Sequence, residues 1–216
     1  MDEFDKWCDC TEEHEDDPDA MTWKEWKEKK WNVLKRHSRG EKVEITEQAI
    51  SKVKKVKVPE YTQEMTEKSA ERRQELLEYA LQENGSNEVA GLIDLSTGKT
   101  TPFVKGSNNS VDFLSQTDIY HLIKSSPAKS LELIHNHPGA SYFSMNDLNV
   151  FMGYSAIKTI TIVTNKGKIW YLKKTEKYDF SSAVQLMRDL SSRFDDNDEL
   201  IEEFLKQAYN LGIRRN

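Results

Sequence analysis

The apolar positions of this chain follow two periods, and their order lays out the elements. From Thr62 to about Gln82, in TQEMTEKSAERRQELLEYALQ, the residues Met65, Ala70, Leu76, Leu77, Ala80 and Leu81 gather on one side of a helix. ENGSN ends it, with Gly85 suited to the C-terminal cap. EVAGLIDL, residues 88–95, is a short apolar run between turn residues and predicts a buried strand. TTPFVK, residues 100–105, predicts its hairpin partner, with Pro102 favouring an edge. Residues 115–125 predict a short helix with Ser115 as N-cap, and SLELIHNH a strand. SMNDLNVFMG predicts a helix, and KTITIVTN and KIWYLKK two strands joined at a Lys166–Gly167 turn. SSAVQLMRDLSSRF and DELIEEFLKQAYNLG predict two closing helices, the second ended by Gly212.

The first 60 residues have a different character. Residues 1–20 are dominated by Asp and Glu and predict disorder. In residues 21–37, Trp23, Trp26 and Trp31 recur at near-helical spacing between Lys and Glu, which predicts an amphipathic helix. Its tryptophan stripe packs on its own domain or meets a protein partner. In SKVKKVKVPE, residues 51–60, Val alternates with Lys, as in an extended linker or a solvated edge strand. The order of elements predicts an α/β fold: a mixed sheet flanked by helices, with helical N- and C-terminal extensions. The expected divisions are an acidic tail over 1–20, a helix and basic linker over 21–60, a central domain over 61–175 and a helical extension over 176–216.

Composition narrows the class. Of the 216 residues, 37% are hydrophobic and 31% charged, which fits a core with solvated appendages. The net charge of −6 argues against nucleic acid as a partner, although Lys52, Lys54, Lys55 and Lys57 form one basic stretch. The only cysteines, Cys8 and Cys10, are one residue apart and make no disulfide framework, so a reducing, cytoplasmic setting is expected. With His14 they also form a weak metal-binding candidate, at a spacing unlike that of zinc fingers. No apolar run suits a membrane span or a signal peptide. His121, among apolar residues of a short helix, reads as a partly buried structural histidine.

The chemistry concentrates in LIHNHPGASYFSMNDL, residues 133–148. His135 and His137 are two apart, so an extended backbone points both imidazoles to one side. Pro138 holds His137 extended. Asp147, in the first turn of the next helix, is a third candidate ligand. Two imidazoles and a carboxylate leave one tetrahedral position open, as in a catalytic zinc site. Glu88, opening its strand, is the candidate acceptor for a water proton, and Ser144 a candidate donor to an oxyanion. Ser144-x-x-Asp147 is equally a helix-start signal, and the two roles are compatible.

Glu88 at the head of EVAGLIDL, then His135, Asn136, His137 and Pro138, then Ser144 and Asp147 three apart, resembles the JAMM signature of the JAB/MPN metallohydrolases. The predicted elements from about 62 to 174 also resemble that family. The resemblance implies a fold related to the cytidine deaminases and a zinc-dependent hydrolase of peptide or isopeptide bonds, acting on a protein or peptide substrate. It implies one zinc per chain on His135, His137 and Asp147, Glu88 as general acid/base, and Ser144 stabilising the transition state. The HNHP form is more like RadC-type and prokaryotic or phage-borne members. The spacer from Pro138 to Phe143 is six residues, one fewer than usual in the family, which bears on loop shape and substrate fit. Ser141 matches the serine role less well by spacing. A non-catalytic binding or assembly module is the alternative reading. A zinc deaminase is excluded, because it needs a later P-C-x-x-C and the chain has no cysteine after Cys10.

Overall fold

A six-stranded mixed sheet organises the computed structural model, which describes residues 41–139 and 141–216. The strands are β1 (Val89–Asp94), β2 (Val104–Lys105), β3 (Leu131–His137), β4 (Ile157–Thr164), β5 (Ile169–Lys174) and β6 (Ile213–Arg215). Their spatial order is β2-β1-β3-β4-β5-β6. Only β3 and β4 run parallel; the other neighbouring pairs are antiparallel. All seven residues of β3 are buried, as expected for a central strand covered on both faces. The described helices are α1 (Glu47–Ser51), α2 (Gln63–Asn84), α3 (Thr117–Ser125), α4 (Met145–Gly153), α5 (Phe180–Ser191) and α6 (Asn197–Gln207).

Strand alternation divides the core in two. On one face, Val89, Ile93, Ile134, Val163 and Ile169 pack with Leu76, Leu77 and Ala80 of α2 and with Ile45, Ile50 and Val53. The same face buries a polar group. Glu132 accepts from Tyr61 Oη at 3.1 Å, Ser69 Oγ at 3.0 Å and Thr161 Oγ1 at 2.7 Å, which satisfies a carboxylate that burial would otherwise penalise. On the other face, α4 packs against β4 and α5, and α5 against α6. His135 and His137 share that second face with Leu131 and Leu133.

Most predicted elements are present, and four expectations are corrected. Ser115 does not cap α3: it closes a short 3₁₀ turn over Phe113–Ser115, and Gln116 takes the cap position without a side-chain bond. Residues 53–58 form no edge strand. Instead, Val53 and Val58 are buried in the core while Lys54, Lys55 and Lys57 stay exposed. Just before them Thr46 caps α1 by accepting from Ala49 N. Residues 100–105 contribute only Val104–Lys105 to the ladder, plus a bridge from Thr100 to Ile93. His121 is exposed.

The described residues belong to one compact unit. The C-terminal segment joins the sheet itself, because β6 pairs with β5 beyond the turn at Gly212, a strand the periodicity did not predict. The acidic tail, Cys8, Cys10, His14 and the tryptophan stripe over 21–37 lie outside the described residues. Among the described residues, no helix is long and apolar enough to cross a membrane.

Candidate metal centre

Three ligand-type side chains converge where β3 ends and α4 begins. His135 and His137 stand on the same side of β3, and Asp147 reaches them from the first turn of α4. Their burial is nearly complete, at 4%, 1% and 5% exposure. His135 Nε2 lies 3.0 Å from His137 Nε2 and 3.0 Å from Asp147 Oδ1, and His137 Nε2 lies 3.4 Å from Asp147 Oδ2. Ligands about 2.05 Å from a tetrahedral zinc lie about 3.3 Å from each other, so the spacing fits such an ion. The donor set, two nitrogens and one oxygen, fits as well, and the group is able to hold a metal ion.

Local sequence explains how Asp147 is aimed. Ser144 caps α4 in a reciprocal capping box: Ser144 Oγ accepts from Asp147 N at 3.2 Å, and Ser144 N donates to Asp147 Oδ2 at 2.6 Å. The Ser144 hydroxyl also donates to Oδ2 at 2.6 Å. Burial opposes ionisation of Asp147, but the facing imidazoles of His135 and His137 outweigh it and hold the carboxyl well below the usual carboxylate range. The helix cap and the buried carboxylate are thus one structure, in which the serine orients the aspartate.

Glu88 is 2% exposed and directly precedes β1. Its backbone is fixed on both sides: its N–H donates to Ser107 O at 2.9 Å, and its carbonyl accepts from Gly106 N at 2.8 Å. Ala90 is paired with His135 across the β1–β3 ladder. The ladder ends at that pair, and by strand parity Glu88 shares the sheet face of Ala90 and His135.

Sequence reasoning missed the residues that fix this end of the sheet. Asn136 points away from the histidines, as alternation requires, into a buried amide network. Its Oδ1 accepts from Val89 N at 2.7 Å, and its Nδ2 donates to Asn87 O at 3.1 Å and Asn165 Oδ1 at 2.8 Å. Asn165 Nδ2 donates to Val43 O and Ser86 O, both at 2.8 Å, and Asn165 N donates to His137 O at 3.0 Å. Val43 N in turn donates to Pro138 O at 2.9 Å. Parity along β3 would have sent Asn136 to the opposite face, but no local signal names its partners. No family model, no curated protein and no solved structure matches this chain.

Proposed function

We propose that the protein is a zinc-dependent hydrolase of peptide or isopeptide bonds, of the JAB/MPN kind, with a cytidine-deaminase-like sheet. The convergence of His135, His137 and Asp147 at tetrahedral spacing, buried, is the observation that carries this reading. The position of Glu88 on the same sheet face supports it. A zinc ion held there would polarise the scissile carbonyl and acidify a water molecule.

The chain's own groups supply the rest. The Glu88 carboxylate accepts a proton as water attacks the carbonyl, then returns it to the departing amine. Ser144 donates its hydroxyl to the carbonyl oxygen as negative charge develops there. To do so it turns from Asp147 Oδ2, while its backbone N–H stays on that oxygen and keeps the ligand aimed. The low exposure of all three ligands keeps bulk water out and strengthens each of these interactions.

Elemental analysis of protein purified without chelator or affinity metal tests the reading. About one zinc per chain is expected in the wild type and none in His137→Ala. Glu88→Gln should keep the zinc and lose a factor of about 10²–10⁴ in hydrolysis of a peptide or isopeptide library. A folded wild type without zinc overturns the proposal. The commitment of the Ser144 hydroxyl to Asp147 favours a second reading, a binding or assembly module that keeps the metal and cleaves nothing. On that reading Glu88→Gln leaves biological activity intact.

A further inference from the structure

The two histidines are held differently. His137 Nδ1 lies 3.1 Å from Ser141 Oγ. His135 Nδ1 is buried and has no hydrogen-bond partner among the described residues. On the backbone side, His137 O accepts from Asn165 N and Pro138 O accepts from Val43 N. Both main chains are held in the sheet, so the difference lies in the rings: His137 has a partner at Nδ1, and the His135 ring depends on packing and on Asp147.

We infer that Ser141 is a positioning residue that commits His137 to bind the metal through Nε2. The inference rests on the metal reading given above. A neutral imidazole carries one N–H, and only the bare nitrogen can be a ligand. With Nε2 turned toward His135 and Asp147, the proton belongs on Nδ1, where Ser141 Oγ accepts it. A hydrogen bond of this kind fixes the tautomer and the ring plane and raises the basicity of the ligand nitrogen.

The spacer is built to hold Ser141 there. At one end Pro138 is tied to Val43. At the other, Phe143 is 4% exposed, and Tyr142 packs edge-on to Trp170 with ring centroids 4.6 Å apart. Arg215 Nη1 donates to Tyr142 Oη at 3.1 Å. Trp170 pairs with Ile162, which pairs with His135, so the aromatic anchor stands in the same row of the sheet as the metal centre. With both ends pinned, Ser141 returns to the ring four residues before it.

Zinc affinity, measured by competition with a chromophoric chelator, tests this without any substrate. Ser141→Ala should weaken zinc binding about 10- to 100-fold, and Ser141→Thr, which keeps the oxygen, should restore it. Ring ¹⁵N shifts of the zinc-loaded protein should show His137 in the Nδ1–H tautomer in the wild type and a mixture of tautomers in Ser141→Ala. Ser141 is a partly buried loop residue, and the metal-free Ser141→Ala variant should keep the wild-type circular dichroism, with thermal unfolding lowered only modestly by the loss of one hydrogen bond to a buried ring. Wild-type zinc affinity and an unmixed tautomer in Ser141→Ala would overturn the role of Ser141 and leave the metal centre standing. A wild type that binds no zinc overturns both.

Discussion

Asp147 carries several demands on one carboxylate. Oδ1 faces His135, while Oδ2 takes two donors from Ser144 and faces His137. Ser144→Ala removes a capping oxygen and one of those donors, so it should cost about 1 kcal/mol in denaturant unfolding while zinc is retained. Asp147→Asn keeps the shape but not the charge, and should lose stoichiometric zinc in elemental analysis. Residues of this kind were legible in the sequence because their logic is local: the HxH parity and the SxxD cap are each written within a few positions. Asn136 and Asn165 were not, because what they do depends on chain far away. Their hydrogen-bonding capacity was visible, but their partners were not.

Among the elements, long periodic segments were the readable ones. Ser69, Ala70, Arg73, Leu76, Leu77 and Ala80 form the buried stripe of α2, and the apolar runs of β1, β3, β4 and β5 are where periodicity put them. Short elements escaped. The five residues of α1 and the three of β6 are too few for a period to show, and the Val–Lys alternation after α1 imitates a strand. Asn165 closes the turn between β4 and β5 and ties both to the rest of the site. Asn165→Ala leaves Val43 O, Ser86 O and an Asn136 donor unpartnered in the interior. At about 1–3 kcal/mol for each buried group left unsatisfied, a loss of about 3 kcal/mol or more is expected from urea midpoints. Gly167 in the same turn has φ +79°, and an added Cβ would meet Ala49 O at 2.5 Å. Gly167→Ala should therefore also destabilise, by pushing the turn off α1.

Across the whole molecule, residues 41–60 belong to the sheet's packing, which their basic composition concealed. Lys173 is fully buried on β5, and Glu60 from this segment approaches it at 2.7 Å. The hydrogen bond from Lys173 is the main reason the Glu60 carboxyl is held below its ordinary value, with Lys158 adding to it. A carboxyl lowered on folding stabilises the fold above its unfolded pKa of about 4.3 and loses that contribution as pH falls through its folded value. Unfolding midpoints followed from neutral pH into that acid range should fall less steeply for Glu60→Gln than for the wild type. A chain starting near Arg39 should fold, and one starting at residue 61 should not, by circular dichroism.

The bond from Asn165 to Val43 also has a consequence in time. It joins residues 122 positions apart. As the chain leaves the ribosome, Val43 emerges early and waits for the turn after β4 to be made. Closing so long a loop costs entropy that is recovered only when the contact forms, and such contacts slow folding. The tie from Asn165 is thus made late, and a chain that ends before it holds the histidine strand with the segment around Val43 present but not yet fastened at that side.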